Sequence, residues 1–335
     1  MADASRIREG LVDAALMNGA VVSGEMAAGD GGMTAAQHAE LRRVQRRSVR
    51  AITGTNKATS TAAVDAEMGI ISLELATAIK VMQWWARMRA YPSKAPIRRT
   101  VAGLTKRELR RVRRSDKSNR FARRIIVAAA MVFGAEDAAR AIEDDSSSNA
   151  AWKQRLEEAI EMAVQREYSA RLQLTASGRK LLAFKPRFGL AKYLVAAAMD
   201  PRIAPLEVVR LLQFRTGGHH LQCMVDRWRA DGHATPCRCG ADVEDVPHLF
   251  FACQSTAVQR AALMAELRAA LAKAEGAVEA IAAAATMGPE MQWQWLNEIL
   301  DARNQVYLDA LPAVLVAVTK YIRRVLAVHP LYGGR

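Results

Sequence analysis

Four potential metal ligands lie close together in this 335-residue chain and constrain its fold more than any other feature. They are Cys237, Cys239, His248 and Cys253, in the pattern Cys-x-Cys-x8-His-x4-Cys. Zinc takes four sulfur or nitrogen ligands in a tetrahedron, and two ligand pairs separated by a loop supply that geometry. Gly240 suits a tight turn after the first pair. The pattern therefore predicts a Zn²⁺ site that is closed and structural, because no position is left for a catalytic water.

Two other interpretations of these residues stay open. They can be ordinary reduced thiols beside a surface histidine, or part of a disulfide framework, although cysteines one residue apart cannot easily bridge each other. No secretory context favours oxidation. Alternative ligands lie upstream, and packing or a surface imidazole is the simpler interpretation of each, because the four better-spaced donors already complete a tetrahedron. These alternatives are His219, His220, Cys223 and His233.

The rest of the chain predicts helices. Hydrophobic residues make up 51% of the sequence, which excludes wholesale disorder. Helix formers abound, whereas Val, Ile and Thr seldom alternate over enough residues to indicate strands. We therefore expect an all-α protein, a multi-helix array with a small Cys/His zinc-binding turn. Within it, we expect Thr105 and Glu108 to start a helix as a capping box, Gly178 to end the helix that begins at Asn149, and Pro312 to separate the last two helices.

Positive charge is concentrated in one segment. The formal net charge is +14, and residues 94–124 hold 13 Lys and Arg against Glu108 and Asp116, a net of +11. The other 304 residues hold 35 basic and 32 acidic side chains, a net of only +3. Such a concentration favours a polyanionic partner over general solubility.

Two sequence motifs resemble a known family. RLLQFRTG, followed after about twenty residues by C-x-CG, acidic residues and H-x4-C, resembles the C-terminal zinc module of LINE-type (non-LTR) retrotransposon reverse transcriptases. Residues 46–75, with RAITG leading to TSTAA and AEMGI, resemble the segment that follows the polymerase in those polyproteins. The motifs occur in the family's order and frame residues 41–260. Residues 90–205 match only in helical and basic character.

Composition and the resemblance together predict a domain organisation. Residues 1–33 are expected to be a flexible N-terminal segment, residues 34–145 a thumb-like helical region that includes the basic segment, and residues 150–335 a helical domain containing the zinc module at 205–260. The resemblance also implies a role in holding template RNA or target DNA near a polymerase during target-primed reverse transcription, with a reverse transcriptase polypeptide as a further partner.

Arginine and lysine side chains on two helices are the predicted phosphate contacts. The first group, in the basic segment, is Lys106, Arg107, Arg110, Arg111, Arg113, Arg114, Arg120, Arg123 and Arg124. The second group is Arg42, Arg43, Arg46, Arg47 and Arg50. A solvated helix face is the competing interpretation of the second group. Because residues 46–75 also carry the family resemblance, phosphate contact is the expectation adopted for both groups.

Catalysis by this chain is not expected. Asp144 and Asp145 superficially resemble the paired aspartates of a polymerase, but no apolar strand precedes them and a polar Ser-Asn run follows. The polymerase palm and endonuclease of the family have no counterpart. We expect a non-catalytic RNA- or DNA-binding protein, nuclear or cytoplasmic, not secreted, with no membrane partner. A zinc-stabilised protein-docking module and a non-catalytic remnant of a split or decayed reverse transcriptase are the alternatives.

Overall fold

The computed structural model describes residues 35–55, 59–92, 95–112, 120–144, 147–219, 221, 236–272 and 277–328. Side chains at 35–38, 41, 52, 108–112, 120–124 and 277–280 lie outside the description. The described residues form α-helices without any β-strand, and one isolated antiparallel bridge joins Met68 to Leu190. The all-α prediction is confirmed. The predicted flexible segment at 1–33 lies outside the described residues.

The helices follow one another closely along the chain. In order, they are α1 (Ala35–Thr53), α2 (Thr61–Glu67), α3 (Leu73–Ala90), α4 (Pro96–Val112), α5 (Arg120–Phe133), α6 (Ala135–Glu143), α7 (Asn149–Gln173), α8 (Ala176–Phe184), α9 (Lys192–Met199), α10 (Pro205–Thr216), α11 (Ala257–Leu271), α12 (Ala277–Thr286), α13 (Pro289–Leu300) and α14 (Gln305–Val328). Between α10 and α11 lie a π-turn, His248–Ala252, and a 3₁₀ turn, Gln254–Thr256. None of the described helices is both long and apolar enough to cross a bilayer.

The described helices belong to two compact units. The first, here called the metal-site unit, contains Arg47–Ile70 and Arg171–Arg335. The second, here called the basic-segment unit, contains Ile71–Ala170 and the part of α1 before Arg47. The predicted boundary at residues 145–150 falls between α6 and α7, within the basic-segment unit.

Each unit has its own apolar core. In the metal-site unit, the core includes fully buried side chains such as Leu211, Phe250, Leu296 and Val314. In the basic-segment unit, α3, α5, α6 and α7 pack around residues such as Met82, Ile125 and Trp152. Burial of apolar surface is the main term that stabilises such cores, at about 25 cal/mol per Å².

Several helix ends follow the sequence closely. The hydroxyls of Ser60 and Ser72 accept hydrogen bonds from the backbone N–H groups three residues ahead, at 3.3 and 3.1 Å, and so start α2 and α3. Pro205 occupies the first turn of α10, and Gly217 ends that helix in the left-handed region at φ 74°.

Three predicted helix ends are wrong. Helix α4 already begins at Pro96 and runs through Thr105, whose hydroxyl donates to the Val101 carbonyl at 2.8 Å instead of capping. Helix α7 ends at Gln173, and Gly178 lies in the first turn of α8, where a Cβ would meet the Leu172 carbonyl oxygen at 2.2 Å. Pro312 lies inside α14, which continues past it to Val328, although a proline there removes one intrahelical hydrogen bond.

Candidate metal centre

The first two ligands lie on a tight turn. The Cys237 N–H donates to the Ala241 carbonyl and the Gly240 N–H donates to the Cys237 carbonyl, both at 2.8 Å. Gly240 has φ +88°, a conformation that residues with a Cβ rarely adopt. This closed turn holds Cys237 and Cys239, separated only by Arg238, on one small loop.

The other two ligands are joined by the π-turn. The Asp245 carboxylate accepts the His248 N–H at 2.8 Å, and the Cys253 N–H donates to the His248 carbonyl at 2.7 Å. In an α-helix, residues five apart point about 140° away from each other, because each residue turns the chain by about 100°. The wider π-turn closes that angle and explains the His-x4-Cys spacing. From the sequence alone, the stretch from Pro247 to Cys253 predicts a turn that enters a helix and presents His248 and Cys253 from its first turns. The structure instead has the π-turn, and α11 begins only at Ala257.

The four donor atoms converge as metal ligands do. Cys237 Sγ lies 3.6 Å from Cys253 Sγ, and Cys239 Sγ lies 3.3 Å from His248 Nε2. All four donors lie within 4.8 Å of one another. A tetrahedral ion with bonds of about 2.0–2.3 Å separates its ligands by roughly 3.3–3.8 Å, so the two measured pairs have the required spacing. The group can therefore hold a metal ion.

The π-turn is anchored in the core of its unit. Phe250 is fully buried, and its ring centroid lies 4.8 Å from that of Tyr321 and 5.0 Å from that of Trp293. The Tyr321 hydroxyl donates to the Leu249 carbonyl at 2.6 Å. Two ligands are therefore positioned by α13 and α14, whereas the other two lie on the turn described above. A bound metal would join these two parts.

The thiols have opposed pKa shifts. Burial raises the pKa of Cys237 to about 12. Burial acts in the same direction on Cys239, but hydrogen bonds from the backbone N–H groups of Ala241 and Gln254, and from Cys237 and His248, lower its pKa to about 6. Ser255 Oγ lies 2.9 Å from Cys253 Sγ. Hydrogen-bond donors therefore favour the thiolate at Cys239, whereas burial disfavours it at Cys237.

Only one of the alternative ligands is among the described residues. His219 is buried, its Nδ1 accepts the Leu221 N–H at 3.3 Å, and it does not belong to the four-donor group. This geometry indicates a packed histidine in a hydrogen bond. His220, Cys223 and His233 lie outside the described residues.

A buried charged cluster in the same unit was not predicted from the sequence. The guanidinium of Arg215 donates to Glu67 at 3.0 Å and to both carboxylate oxygens of Asp301 at 2.9 and 3.0 Å. It also donates to Asn297 and lies between the rings of Phe184 and Tyr193. Burial alone would lower the pKa of Arg215, but Asp301 and Glu67 raise it, so the side chain stays charged.

The charged cluster joins the two motifs that carry the family resemblance. Glu67 lies in the AEMGI motif and Arg215 lies in QFRTG, 148 residues further along the chain. Gln213 of the second motif also donates to the Gly54 carbonyl of RAITG at 2.7 Å. Gly69 has no side chain, and this allows the backbone at Leu190 to approach closely, because a Cβ on Gly69 would meet the Leu190 nitrogen at 2.6 Å. Glu67 and Arg215 are 148 residues apart, so no local pattern in the sequence predicted this pairing.

The predicted phosphate contacts on α1 differ in their surroundings. Arg42 pairs with Glu74 and Arg43 with Glu40, at 2.7 and 2.8 Å, whereas Arg50 donates to the Thr61 hydroxyl at 3.3 Å. Arg46 and Arg47 are exposed and make no ion pair within the described part of the chain.

The predicted contacts in the basic segment are only partly described. Arg107 on α4 is exposed and has no ion pair among the described residues, and Lys106 beside it is half-buried. The other predicted side chains lie outside the described residues: Arg110, Arg111, Arg113, Arg114, Arg120, Arg123 and Arg124.

The contacts of Asp144 stabilise a turn. Its carboxylate accepts hydrogen bonds from Ser147 N–H and Oγ and pairs with Arg155 at 2.6 Å. These contacts fix the turn that leads into α7. Asp145 lies outside the described residues.

No protein-family model, curated protein or solved structure matches this chain.

Proposed function

We propose that this chain is a non-catalytic protein that binds RNA or DNA through phosphate contacts and uses one Zn²⁺ ion as a structural support. Three thiolates and an imidazole are a typical ligand set of tetrahedral Zn²⁺, and thiolate ligands favour Zn²⁺ over Mg²⁺, Ca²⁺ or Mn²⁺. The donors supply four ligands and need no water, so the ion has a structural role.

The observation that carries nucleic-acid binding is the arginine surface of α1. Arg43, Arg46 and Arg47 are exposed at the three- and four-residue spacing of one helix face. Arg46 and Arg47 have no counter-charge among the described residues, and the surface pair of Arg43 with Glu40 contributes little to stability. Arginine presents a planar fork that can hold two phosphate oxygens.

The metal centre itself is poorly suited to phosphate. Three thiolates around a divalent ion leave a net charge of −1, and the exposed Asp242 and half-exposed Asp245 add to it. Arg238 is the one basic side chain on the turn. We therefore assign phosphate contact to α1 and the basic segment, and assign to the metal centre the task of holding its unit together.

The packing of the two motifs supports a role like that of the post-polymerase region of a LINE-type reverse transcriptase. Residues of the two motifs contact each other within one unit. Arg215 donates to Glu67, and Gln213 donates to the Gly54 carbonyl. Such a chain would hold RNA or target DNA beside a reverse transcriptase polypeptide. Its own residues supply binding and position, and the polymerase chemistry belongs to the partner.

The proposal predicts strong dependence of affinity on salt. Each phosphate contact should contribute about −0.9 to the slope of log affinity against log salt on duplex and about −0.7 on single strands. Changing Arg43, Arg46 and Arg47 together to Gln should flatten the slope by roughly three contacts on that scale. Changing Arg110, Arg111, Arg113 and Arg114 to Gln tests the basic segment in the same way. Fluorescence anisotropy with labelled oligonucleotides over a salt series measures both.

A matched control separates specific contact from net charge. Arg140, Arg202 and Arg324 are exposed and already paired with Asp137, Asp200 and Glu266. Changing these three to Gln removes the same charge as the α1 variant and should leave the slope nearly unchanged. Equal slopes for the control and α1 variants would refute contact by α1. A wild-type protein with no affinity for nucleic acid, but a partner protein bound independently of salt, would favour the docking-module alternative.

A further inference from the structure

We propose that Cys237 and Cys253 are a redox modification site, and that a peroxide converts them to a disulfide that takes the place of the metal. The inference rests on the metal centre of the proposed function and is independent of nucleic-acid binding. It concerns the two buried thiols, which have 5% and 0% of their surface exposed.

The two sulfurs are already close enough for a small movement to join them. Their separation is 3.6 Å, and a disulfide needs about 2.05 Å. Cys253 is held firmly, because its carbonyl accepts hydrogen bonds from the Thr256 N–H and hydroxyl and from Arg260 at 2.7 Å. Cys237 lies on the turn that Gly240 closes, and the described hydrogen bonds of its backbone stay within that turn. To bring the two sulfurs within bonding distance, the turn that carries Cys237 has to shift, whereas the core around Cys253 can keep its packing.

The remaining ligands make this pair the preferred one. Cys239 Sγ has His248 Nε2 at 3.3 Å as its neighbour. Cys237 and Cys239 are separated by one residue, and such neighbours bridge only with strained geometry. Cys239 is half-exposed and gives a small oxidant access to the centre. Cys237 and Cys253 are thus the pair whose sulfurs are in contact, at 3.6 Å, and whose separation of 16 residues leaves the chain free to form a bridge.

The chemistry balances with hydrogen peroxide as the oxidant. One thiolate donates an electron pair to a peroxide oxygen, the O–O bond breaks, and a sulfenic acid and hydroxide result. The second thiolate then attacks the sulfenic sulfur, the S–S bond forms, and a second hydroxide leaves. Two protons convert the hydroxides to water. The sulfurs lose two electrons in total, and peroxide gains them.

Oxidation would replace one cross-link with another. The disulfide would join the same turn and π-turn that the metal joins, so the local fold should persist. Only Cys239 and His248 would remain as ligands, and two donors cannot retain the ion at the affinity of four. The centre would therefore release its metal without unfolding and recover it after reduction.

Oxidation of the zinc-loaded full chain tests the proposal. Metal content is measured first, hydrogen peroxide is added in steps, and released zinc is followed with a chromogenic chelator. Peptide mapping without reductant should find one Cys237–Cys253 bridge for each ion released, reversed by a dithiol. The Cys223→Ser variant should behave like wild type, and Cys253→Ser should form no such bridge. Oxidised protein should also unfold at a higher temperature than reduced protein stripped by a chelator.

Several outcomes would overturn the proposal. These are a bridge through Cys239 or Cys223, sulfinic acid without a disulfide, and retention of the metal under excess peroxide. Absence of metal before oxidation would instead refute the zinc part of the proposed function. The mapping would still decide whether the two thiols form the bridge.

Discussion

Removal of the metal is expected to open the turn at residues 236–245 and to lower the stability of the metal-site unit strongly. Structural zinc sites contribute on the order of 10 kcal/mol to folding. Described hydrogen bonds join this turn to the π-turn at Asp245, which accepts the N–H groups of His248 and Leu249 at 2.8 and 2.9 Å. The metal would add a link at Cys237 and Cys239, the two ligands nearer the start of the turn. The π-turn should respond less, because Phe250 and the Tyr321 hydrogen bond anchor it in the core.

Hydrogen exchange after chelation measures this effect region by region. Amides of residues 236–245 should exchange first, followed by those of residues 248–256, while α3 in the other unit serves as the internal control. The Cys239→Ala variant should exchange like chelated wild type, because Cys237, His248 and Cys253 then leave the tetrahedron one ligand short. Unchanged exchange in protein shown to be free of metal would contradict a structural role for the ion.

The metal centre was largely predictable from the sequence because its ligands are local. Spacing alone identified Cys237, Cys239, His248 and Cys253, and the structure brings them together. The π-turn was not predictable, because its wider geometry follows from anchoring of Phe250 by α13 and α14, which come much later in the chain. The same limit explains the end of α7, where the Thr175 hydroxyl caps α8 at 3.0 Å and outweighs an uninterrupted helical pattern.

The buried charged cluster lay beyond sequence reasoning for a related reason. Periodicity shows which residues are buried, but not which residues 148 positions apart face each other. In the sequence, Arg215 is one of three charged residues of α10, with Glu207 and Arg210. The role of Arg215 depends on its ion pairs with Glu67, on α2, and Asp301, at the end of α13.

Replacing Arg215 with Leu is expected to destabilise the metal-site unit by about 3–5 kcal/mol. Arg215 and Glu67 have fully buried side chains, and Asp301 is almost as deeply buried. Without the guanidinium, two buried carboxylates would remain, and Lys185 would be a cation that still acts on Asp301. Burial already raises the pKa of Asp301 although Arg215 opposes the shift. A typical domain has only about 5–15 kcal/mol of stability, so the loss would be a large share.

Urea unfolding of Arg215→Leu beside Arg323→Leu separates burial from charge. Arg323 pairs with Glu207 at 2.8 Å, but its side chain is 60% exposed, and its loss should have a much smaller effect. Adding Glu67→Gln and Asp301→Asn to Arg215→Leu should restore part of the lost stability, because the unpaired carboxylates are then removed. Equal losses in the two single variants would show that the cluster contributes no more than a surface pair.

The charged cluster and a bound metal would be two structural supports of the metal-site unit. The charged cluster joins the segment after α1 to the helices of the metal-site unit, and the metal would join the turn to the same core. Neither support places a cation on the surface. On α1, Arg46 and Arg47 are exposed and have no ion pair among the described residues, and the salt series tests whether they contact phosphate.

X-ray absorption spectroscopy of the zinc-loaded chain tests the central claim most directly. The account predicts one ion bound by three sulfur atoms at about 2.3 Å and one nitrogen at about 2.0–2.1 Å, with no oxygen ligand. A Cys239→Ala variant should lose a sulfur scatterer or lose the ion. An oxygen ligand in the wild-type spectrum, or fewer than three sulfurs, would contradict a closed structural site formed by Cys237, Cys239, His248 and Cys253.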